Sequence, residues 1–443
     1  MAKSWRVLGL IGALALVPLD SGAQGFAIEK VALDGEPAPD PEGANFTSVD
    51  VFALDLNASG HVAYAATLSM ALPNWGVFVH TADSGSARAI SGDPAPAPLG
   101  GTYFAFGRPH IDAAGDVSMG TMIRLPSLAV ANALVLAAGG GDSILVSEFD
   151  TAPGGGTFEV AIGDMNFHGR AAGGLPVFQS DVGGGAAGVF AGTAIAIARA
   201  GEGTPAGGTY ASFTWPGANA SGVVAFPAEL SGVDATSGLF VDSGSGTVTI
   251  ALEGDLEPLG ETFYDFALPV VNASGDVLFL GGWAPDGSTG GLYVSEAAGL
   301  RSVVRTGQAL PDTVGGSIDS LGGVPDFADN GAVSFSAAVT GGSVASGVFV
   351  AEPGGSIRGV ALAGDPVPGA DGDSFDSFVA TSINAAGQVA FGATTSGGSN
   401  GVFLATPEVA QVPVLSPPAL LGLLALLATT AAAVLRHHQR GRS

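Results

Sequence analysis

Residues 382–393 read SINAAGQVAFGA, and the four residues Asn384-Ala385-Ala386-Gly387 inside them decide how the chain is organised. Asn suits the first position of a type I turn, because its side chain can bond the backbone two residues on. Gly suits the fourth, where φ turns positive and a side chain would be strained. A type I turn closed by such a residue is a hairpin with a G1 bulge. The stretch therefore predicts a strand up to Ile383, a tight turn, and a second strand from Gln388.

The same sentence is written repeatedly. NASGHVAY (57–64), NASGVVAF (219–226) and NASGDVLF (272–279) keep it closely, while DAAGDVSM (112–119) and ADNGAVSF (328–335) are degraded. NFHGRAAG (166–173) is the weakest copy. Taking Gly60, Gly115, Gly169, Gly222, Gly275, Gly331 and Gly387 as the motif glycines, successive gaps are 55, 54, 53, 53, 56 and 56 residues. The turn residues Asn57 and Gly60, Asn219 and Gly222, Asn272 and Gly275, and Asn384 and Gly387 are expected to be structural.

Two further markers run in phase. LAGDPVPG (362–369) recurs in variants such as ALDGEPAP (32–39) and ISGDPAP (90–96), with Phe149 replacing the glycine in the third copy. GVFV (76–79), GVFA, GLFV, GLYV, GVFV and GVFL (401–404) form the other series, and the second copy has NALVLAA there. Each period then holds four short strands. The strand after the motif is apolar on consecutive residues, so both its faces are covered, as in stacked sheets.

Seven four-stranded units of about 55 residues predict an all-β, seven-bladed β-propeller. FAIEKVAL (26–33) resembles a fourth strand and GVFLA (401–405) a third, so the first strand is expected to complete the last blade. Two smaller β-domains or an open solenoid are the competing architectures.

These markers resemble the NxxGxxAF tandem-repeat, choice-of-anchor proteins over residues 27–406. That resemblance implies a repeat and an anchor, with no assigned reaction.

Composition sets the class. There are 443 residues, no cysteine, 71 glycines and only 12% charged residues. A hydrophobic share of 47% is too high for a disordered chain. Residues 1–23 read as a secretory signal peptide: Lys3 and Arg6, an apolar run Val7–Val17, then Ser21-Gly22-Ala23 before the cut. Signal peptidase is the expected partner.

The C-terminal end continues the address. Residues 407–418 form a linker carrying Val412-Pro413-Val414-Leu415-Ser416. Ala419–Leu435 is an uncharged 17-residue stretch, expected to be a transmembrane helix, and 436–443 is a basic tail expected to be cytoplasmic. Motif, apolar stretch and basic cluster together resemble the IPTL-CTERM and PEP-CTERM tails of Gram-negative bacteria. That resemblance implies an exosortase-class sorting enzyme as partner; a plain permanent anchor is the alternative.

Between these ends, residues 24–406 carry 9 basic and 38 acidic residues, a net charge of about −29. Such a body repels nucleic acid and anionic lipid. After the glycine of the second marker stand Glu36, Asp93, Asp150, Glu202, Asp255, Gln308 and Asp365. A propeller would place these six carboxylates on one face. They then form an acidic ring that takes a cation or a basic ligand, or else each simply braces its own turn.

No cofactor or metal motif is present. His61, His80, His110 and His168 fall at unrelated repeat positions, and no metal-ligand spacing or nucleophile elbow occurs. A Ser-His-Asp set assembled in space stays open, as does a polysaccharide surface built on Trp75, Trp215 and Trp283. The sequence points to a non-enzymatic extracellular adhesion, matrix or ligand-binding module. A glycan-binding propeller and a hydrolase or lyase are the alternatives.

Overall fold

In a computed structural model the described residues are 25–408, apart from 71–73, 160–166, 172–173, 285–288 and 314. The chain divides into two units between Thr406 and Pro407, and all the described residues but Pro407 and Glu408 fall in the first. The signal stretch, the sorting motif, the expected membrane helix and the basic tail all lie outside the described residues.

The first unit is a seven-bladed β-propeller. β1 (Phe26–Leu33) opens the described chain. Blade 1 follows with β2 (Phe46–Leu56), β3 (Val62–Leu68), β4 (Trp75–His80) and β5 (Gly85–Ile90). Blade 2 holds β6 (Thr102–Ile111), β7 (Val117–Arg124), β8 (Val130–Ala137) and β9 (Ser143–Ser147). In blade 3 the first strand is split into β10 (Thr157–Glu159) and β11 (Phe167–Ala171), followed by β12 (Leu175–Gly183), β13 (Gly188–Ala191) and β14 (Ile195–Arg199). Blade 4 is split likewise into β15 (Thr209–Phe213) and β16 (Gly217–Ala218), then β17 (Val224–Ser231), β18 (Ser237–Asp242) and β19 (Thr247–Leu252). Blade 5 comprises β20 (Asp265–Val271), β21 (Val277–Gly282), β22 (Gly290–Glu296) and β23 (Gly299–Arg305). Blade 6 comprises β24 (Ser317–Phe327), β25 (Val333–Thr340), β26 (Ser346–Ala351) and β27 (Ile357–Leu362). Blade 7 is β28 (Phe375–Ile383), β29 (Val389–Thr395) and β30 (Asn400–Pro407), and β1 supplies its fourth strand. Ring closure by the N-terminal strand is thus as expected.

Within each blade the strands pair antiparallel in chain order, first to fourth. First strands of neighbouring blades touch, as β2 does β6 and β28, β16 does β11 and β20, and β24 does β20 and β28, so they form the hub. Each carries an irregularity at mid-length, for example between Val49 and Leu54 in β2 and between Gly322 and Asp326 in β24. In blade 4 the interruption is Thr214-Trp215-Pro216, where Pro216 has no N–H for the ladder. The expected four strands therefore become five segments in blades 3 and 4.

The core lies between blades, and its repeating element is a pair of stacked rings. The motif's aromatic sits directly opposite the aromatic of the third strand: Tyr64 and Phe78 at 5.5 Å, Phe226 and Phe240 at 5.8 Å, Phe391 and Phe403 at 5.5 Å. A first-strand ring then abuts edge-on, as Phe375 does against Phe403 at 4.9 Å. Blade 2 replaces the pair with Met119 and Val135.

One reading of the sequence is corrected. Gly169 is not a turn glycine: it lies inside β11, and the positive φ falls instead at Gly174, 75°, just before β12. His168 likewise lies within β11. The other six motif glycines all have positive φ, from 77° to 95°.

Candidate functional site

The motif asparagine does more than shape a turn. Asn57 Oδ1 accepts Ser59 N–H at 3.0 Å and His61 N–H at 2.9 Å, and Gly60 N–H bonds Asn57 O at 3.1 Å. Its Nδ2 then donates to Asp112 O, the matching position of blade 2, at 2.9 Å. Asn219 reaches Asn272 O at 2.7 Å, and Asn384 reaches Asn57 O at 3.1 Å across the closure. Asn272 accepts from Asp276 N–H at 2.9 Å and donates to the Asp276 side chain. These bonds thus join the turns of neighbouring blades, 7 to 1, 1 to 2 and 4 to 5. In the degraded sixth copy the neighbours take over: Asn330 Nδ2 donates to Ala385 O, and Asp329 Oδ1 accepts Ala273 N–H.

The acidic positions are spent locally. Asp93 accepts Ile90 N–H at 3.1 Å, Asp150 accepts Ser147 N–H at 2.7 Å, and Glu202 accepts Arg199 N–H at 3.0 Å. Asp255 and Asp365 accept Leu252 and Leu362 N–H at 2.8 and 2.9 Å. Gln308 does the same to Arg305 N–H at 3.2 Å, so a neutral amide serves as well as a carboxylate. Glu36 instead pairs with Lys30. Among the described residues no three His, Asp or Glu side chains come together as a metal-holding group.

A polar cluster that the repeat analysis missed occupies the hub. Two residues before the motif's first position stand Asp55, His110, Asp326 and Ser382, from blades 1, 2, 6 and 7. Asp55 Oδ2 accepts Ile111 N–H at 2.9 Å and lies 3.5 Å from His110 Nδ1. Ser382 Oγ lies 2.8 Å from Asp326 Oδ2 and 3.3 Å from Asp55 Oδ1, and it accepts Leu56 N–H at 3.2 Å. Arg108 donates from Nε to Leu54 O at 3.2 Å, while its buried Nη1 has no protein acceptor. The cluster is deep but not sealed: Ser382 is buried, while the side chains of Asp55 and His110 keep 20% and 17% of their surface.

Depth and charge set the protonation tendencies. Burial pushes Asp55 up, but His110, Arg108 and the Ile111 N–H outweigh it and hold the carboxyl below the usual range. Burial lifts Asp326, the Asp55 charge adds to that, and its three donors offset only part. Burial also lowers Arg108, against the pull of Asp55, Asp326 and Asp50.

His110, Asp55 and Ser382 are neighbours but not a Ser-His-Asp relay. Ser382 bonds the two carboxylates rather than the imidazole, and it is buried. His80 lies in another place, 3.6 Å from Glu29. The tryptophans do not share a surface: Trp75 packs on the blade 1 core, Trp215 stands in the blade 4 interruption, and Arg305 covers Trp283 at 4.8 Å.

A second polar group breaks the repeat in blade 5. Glu257 is 2% exposed where other copies bury Ala38, Ala95, Ala152, Leu310 or Val367. Its Oε1 accepts Glu261 N–H at 3.0 Å and faces Arg305 at 3.5 Å, and Trp283 Nε1 donates to the nearby Tyr293 OH at 2.8 Å. The signal available in the sequence was the acid itself, standing where six copies have an apolar or small residue.

Residues 56–404 match the model of a family of unknown function, DUF7453, and the chain belongs to that family. No curated protein matches the sequence. Among solved structures, a puromycin-hydrolyzing peptidase of Mycobacterium tuberculosis is 12% identical with a TM-score of 0.47, covering 87% of this chain and 57% of its own. The β-propeller domain of the Trilobed protease of Pyrococcus furiosus is 10% identical with a TM-score of 0.40, over 84% of this chain and 99% of that one. Aleuria aurantia lectin bound to Fucalpha1-6GlcNAc is 10% identical with a TM-score of 0.33, over 83% and 97%. The chain spans about half the length of the puromycin hydrolases it matches, 57% and 50% of them.

Proposed function

We propose that this DUF7453 member is an exported, surface-anchored or sorted binding propeller, a rigid disc that presents its loops to an extracellular ligand without transforming it. The observation that carries the reading is where the recurring residues are used. Motif asparagines join blades, motif glycines turn the chain, and five of the six marker carboxylates brace backbone N–H groups. Repetition here builds a scaffold, and scaffolds of this kind carry function on loops.

The address at the two ends supports export: a signal-peptide pattern at 1–23 and the Val412–Ser416 motif ahead of an apolar stretch and a basic tail. Under this reading signal peptidase removes the first segment and an exosortase-class enzyme processes the last. A polysaccharide or a cation is the ligand class to try first.

The test is the intact mass of the full chain recovered from a Gram-negative host that carries a matching sorting enzyme, combined with labelling of whole cells by an impermeant reagent. Loss of the segment beyond roughly Val412–Ser416, with the body labelled, supports sorting to the surface. A full tail with a labelled body leaves a plain anchor and overturns the sorting step. A body labelled only after lysis overturns the surface assignment altogether.

One observation favours an enzyme instead: the His110–Asp55 pair lies in the hub, where a carboxylate orients an imidazole. Turnover of a polysaccharide or ester probe that is lost in His110→Gln, with binding retained, would move the assignment to a hydrolase or lyase.

A further inference from the structure

Ser382 stands where three blades meet, and its hydrogen-bond count does not close without one more proton. Its Oγ accepts Leu56 N–H at 3.2 Å, and it lies 3.3 Å from Asp55 Oδ1 and 2.8 Å from Asp326 Oδ2. A hydroxyl has a single proton to give. If both carboxylates are ionised, one of them faces only oxygen lone pairs at this contact. A proton on Asp326 Oδ2 resolves the conflict. That O–H donates to Ser382, Ser382 donates to Asp55, and Asp326 Oδ2 still accepts Ile383 N–H at 2.8 Å.

We infer that Asp326 holds this proton in the folded ring, and that the seam joining blades 6, 7 and 1 is a pH-sensitive latch which tightens when the proton is bound. The groups facing each carboxylate decide which one takes it. Asp55 faces His110 Nδ1 at 3.5 Å, the Ile111 N–H at 2.9 Å and the charge of Arg108. Asp326 meets only neutral groups, the N–H groups of Ile383 and Phe327 and the Ser382 hydroxyl, together with the negative charge of Asp55. Arg108 is engaged first with Asp55, then with Asp326 and Asp50. Burial and the Asp55 charge accordingly lift Asp326 above the usual carboxylate range.

The direction of the pH response follows. An acid whose pKa is raised by folding gives its full stabilisation below the ordinary carboxylate pKa. That contribution is lost as pH rises through the window up to the folded value. Asp55 has the opposite sign, losing its contribution as pH falls below the ordinary range. The seam is therefore firmest near the ordinary carboxylate pKa and loosens as pH rises through the folded value of Asp326.

The seam between blades 4 and 5 is an internal control, because Gly217 and Val270 occupy the matching positions there and carry nothing that titrates. Hydrogen exchange of the full chain, corrected for intrinsic rates, is compared between about pH 5, just above the ordinary carboxylate range, and a series of successively higher pH values. The expected result is several-fold stronger protection at the lower pH for segments 54–57 and 381–384, none for 217–219 and 270–272, and loss of the difference in Asp326→Asn. Equal changes at both seams, or a difference that survives in Asp326→Asn, overturn the latch. Should that variant fail to fold, the carboxyl carbon of Asp326 in the wild-type chain is followed by NMR. Titration above the ordinary aspartate range supports the proposal, and titration within or below it refutes it.

Discussion

At the scale of single residues, the question raised by Asn-x-x-Gly is why the first position prefers an amide. A carboxylate performs the turn equally well: Asp112 accepts Ala114 and Asp116 N–H at 2.9 and 3.0 Å, matching what Asn219 does with Ser221 and Val223 at 3.0 Å. Only the amide also donates. Asn219→Asp should therefore keep its turn but place a carboxylate oxygen against Asn272 O, now 2.7 Å from a donor. In this buried position the loss is about 1–3 kcal/mol, the cost of an orphaned acceptor, and somewhat more with an added charge. Chemical denaturation of the variant against Asn219→Ser measures it, the serine retaining a turn acceptor. A change below about 0.5 kcal/mol, within the range of ordinary surface substitutions, would show that the inter-blade bond is dispensable. The turn was legible in the sequence because its bonds span two and four residues. The donation was not, since its acceptor lies 53 residues away and only the closed ring brings it near.

Elements explain the second series of markers, Gly-apolar-aromatic. Residues i and i+2 share one face of a strand, so the aromatic ring folds back over the glycine. A Cβ on Gly347 would lie 2.8 Å from the Phe349 ring and 2.7 Å from Leu362, and one on Gly401 would lie 2.9 Å from Phe403. Gly347→Ala should thus displace a stacked ring inside a filled blade, costing about 1–3 kcal/mol. Gly387→Ala should cost about 1–2 kcal/mol for a different reason, since its φ of 77° is unfavourable to any side chain. Thermal unfolding reads both, and the double variant Gly347→Ala, Phe349→Leu separates them. It should recover much of the first loss, whereas trimming a ring cannot rescue the second. The inner strands were the least legible elements. Their hub residues Asp55, His110, Asp326 and Ser382 share one repeat position but not one residue type, because each answers to a different neighbour in the adjoining blade. A search built on recurrence finds what the blades share and passes over what makes them unequal.

For the molecule as a whole, the decisive feature is that blade 7 is made from both ends of the body. β1 closes it, and the next residue fastens the seam: Asp34 accepts Asn400 N–H at 3.0 Å from blade 7 and Val49 N–H at 2.6 Å from blade 1. Phe26, Ala32 and Leu33 of that strand are buried, and Arg358 of blade 6 lies over the Phe26 ring at 5.1 Å. Two large side chains buried at about 1.5–3 kcal/mol each, together with the row of backbone bonds, make this single strand worth a sizeable part of a domain's stability. A chain whose propeller begins at Asp34 should keep six complete blades and expose the edge of β30. Limited proteolysis should then cut first within 375–407, and the Asn384–Asn57 clasp across the seam should lose its exchange protection ahead of Asn219–Asn272. Adding a peptide of sequence FAIEKVAL should restore resistance, because the missing strand supplies pairing and apolar side chains without needing a covalent link. Uniform cleavage across all blades, or no rescue by a peptide that binds, would mean that closure is set by the blade-to-blade packing of the hub and that β1 merely covers a seam already shut.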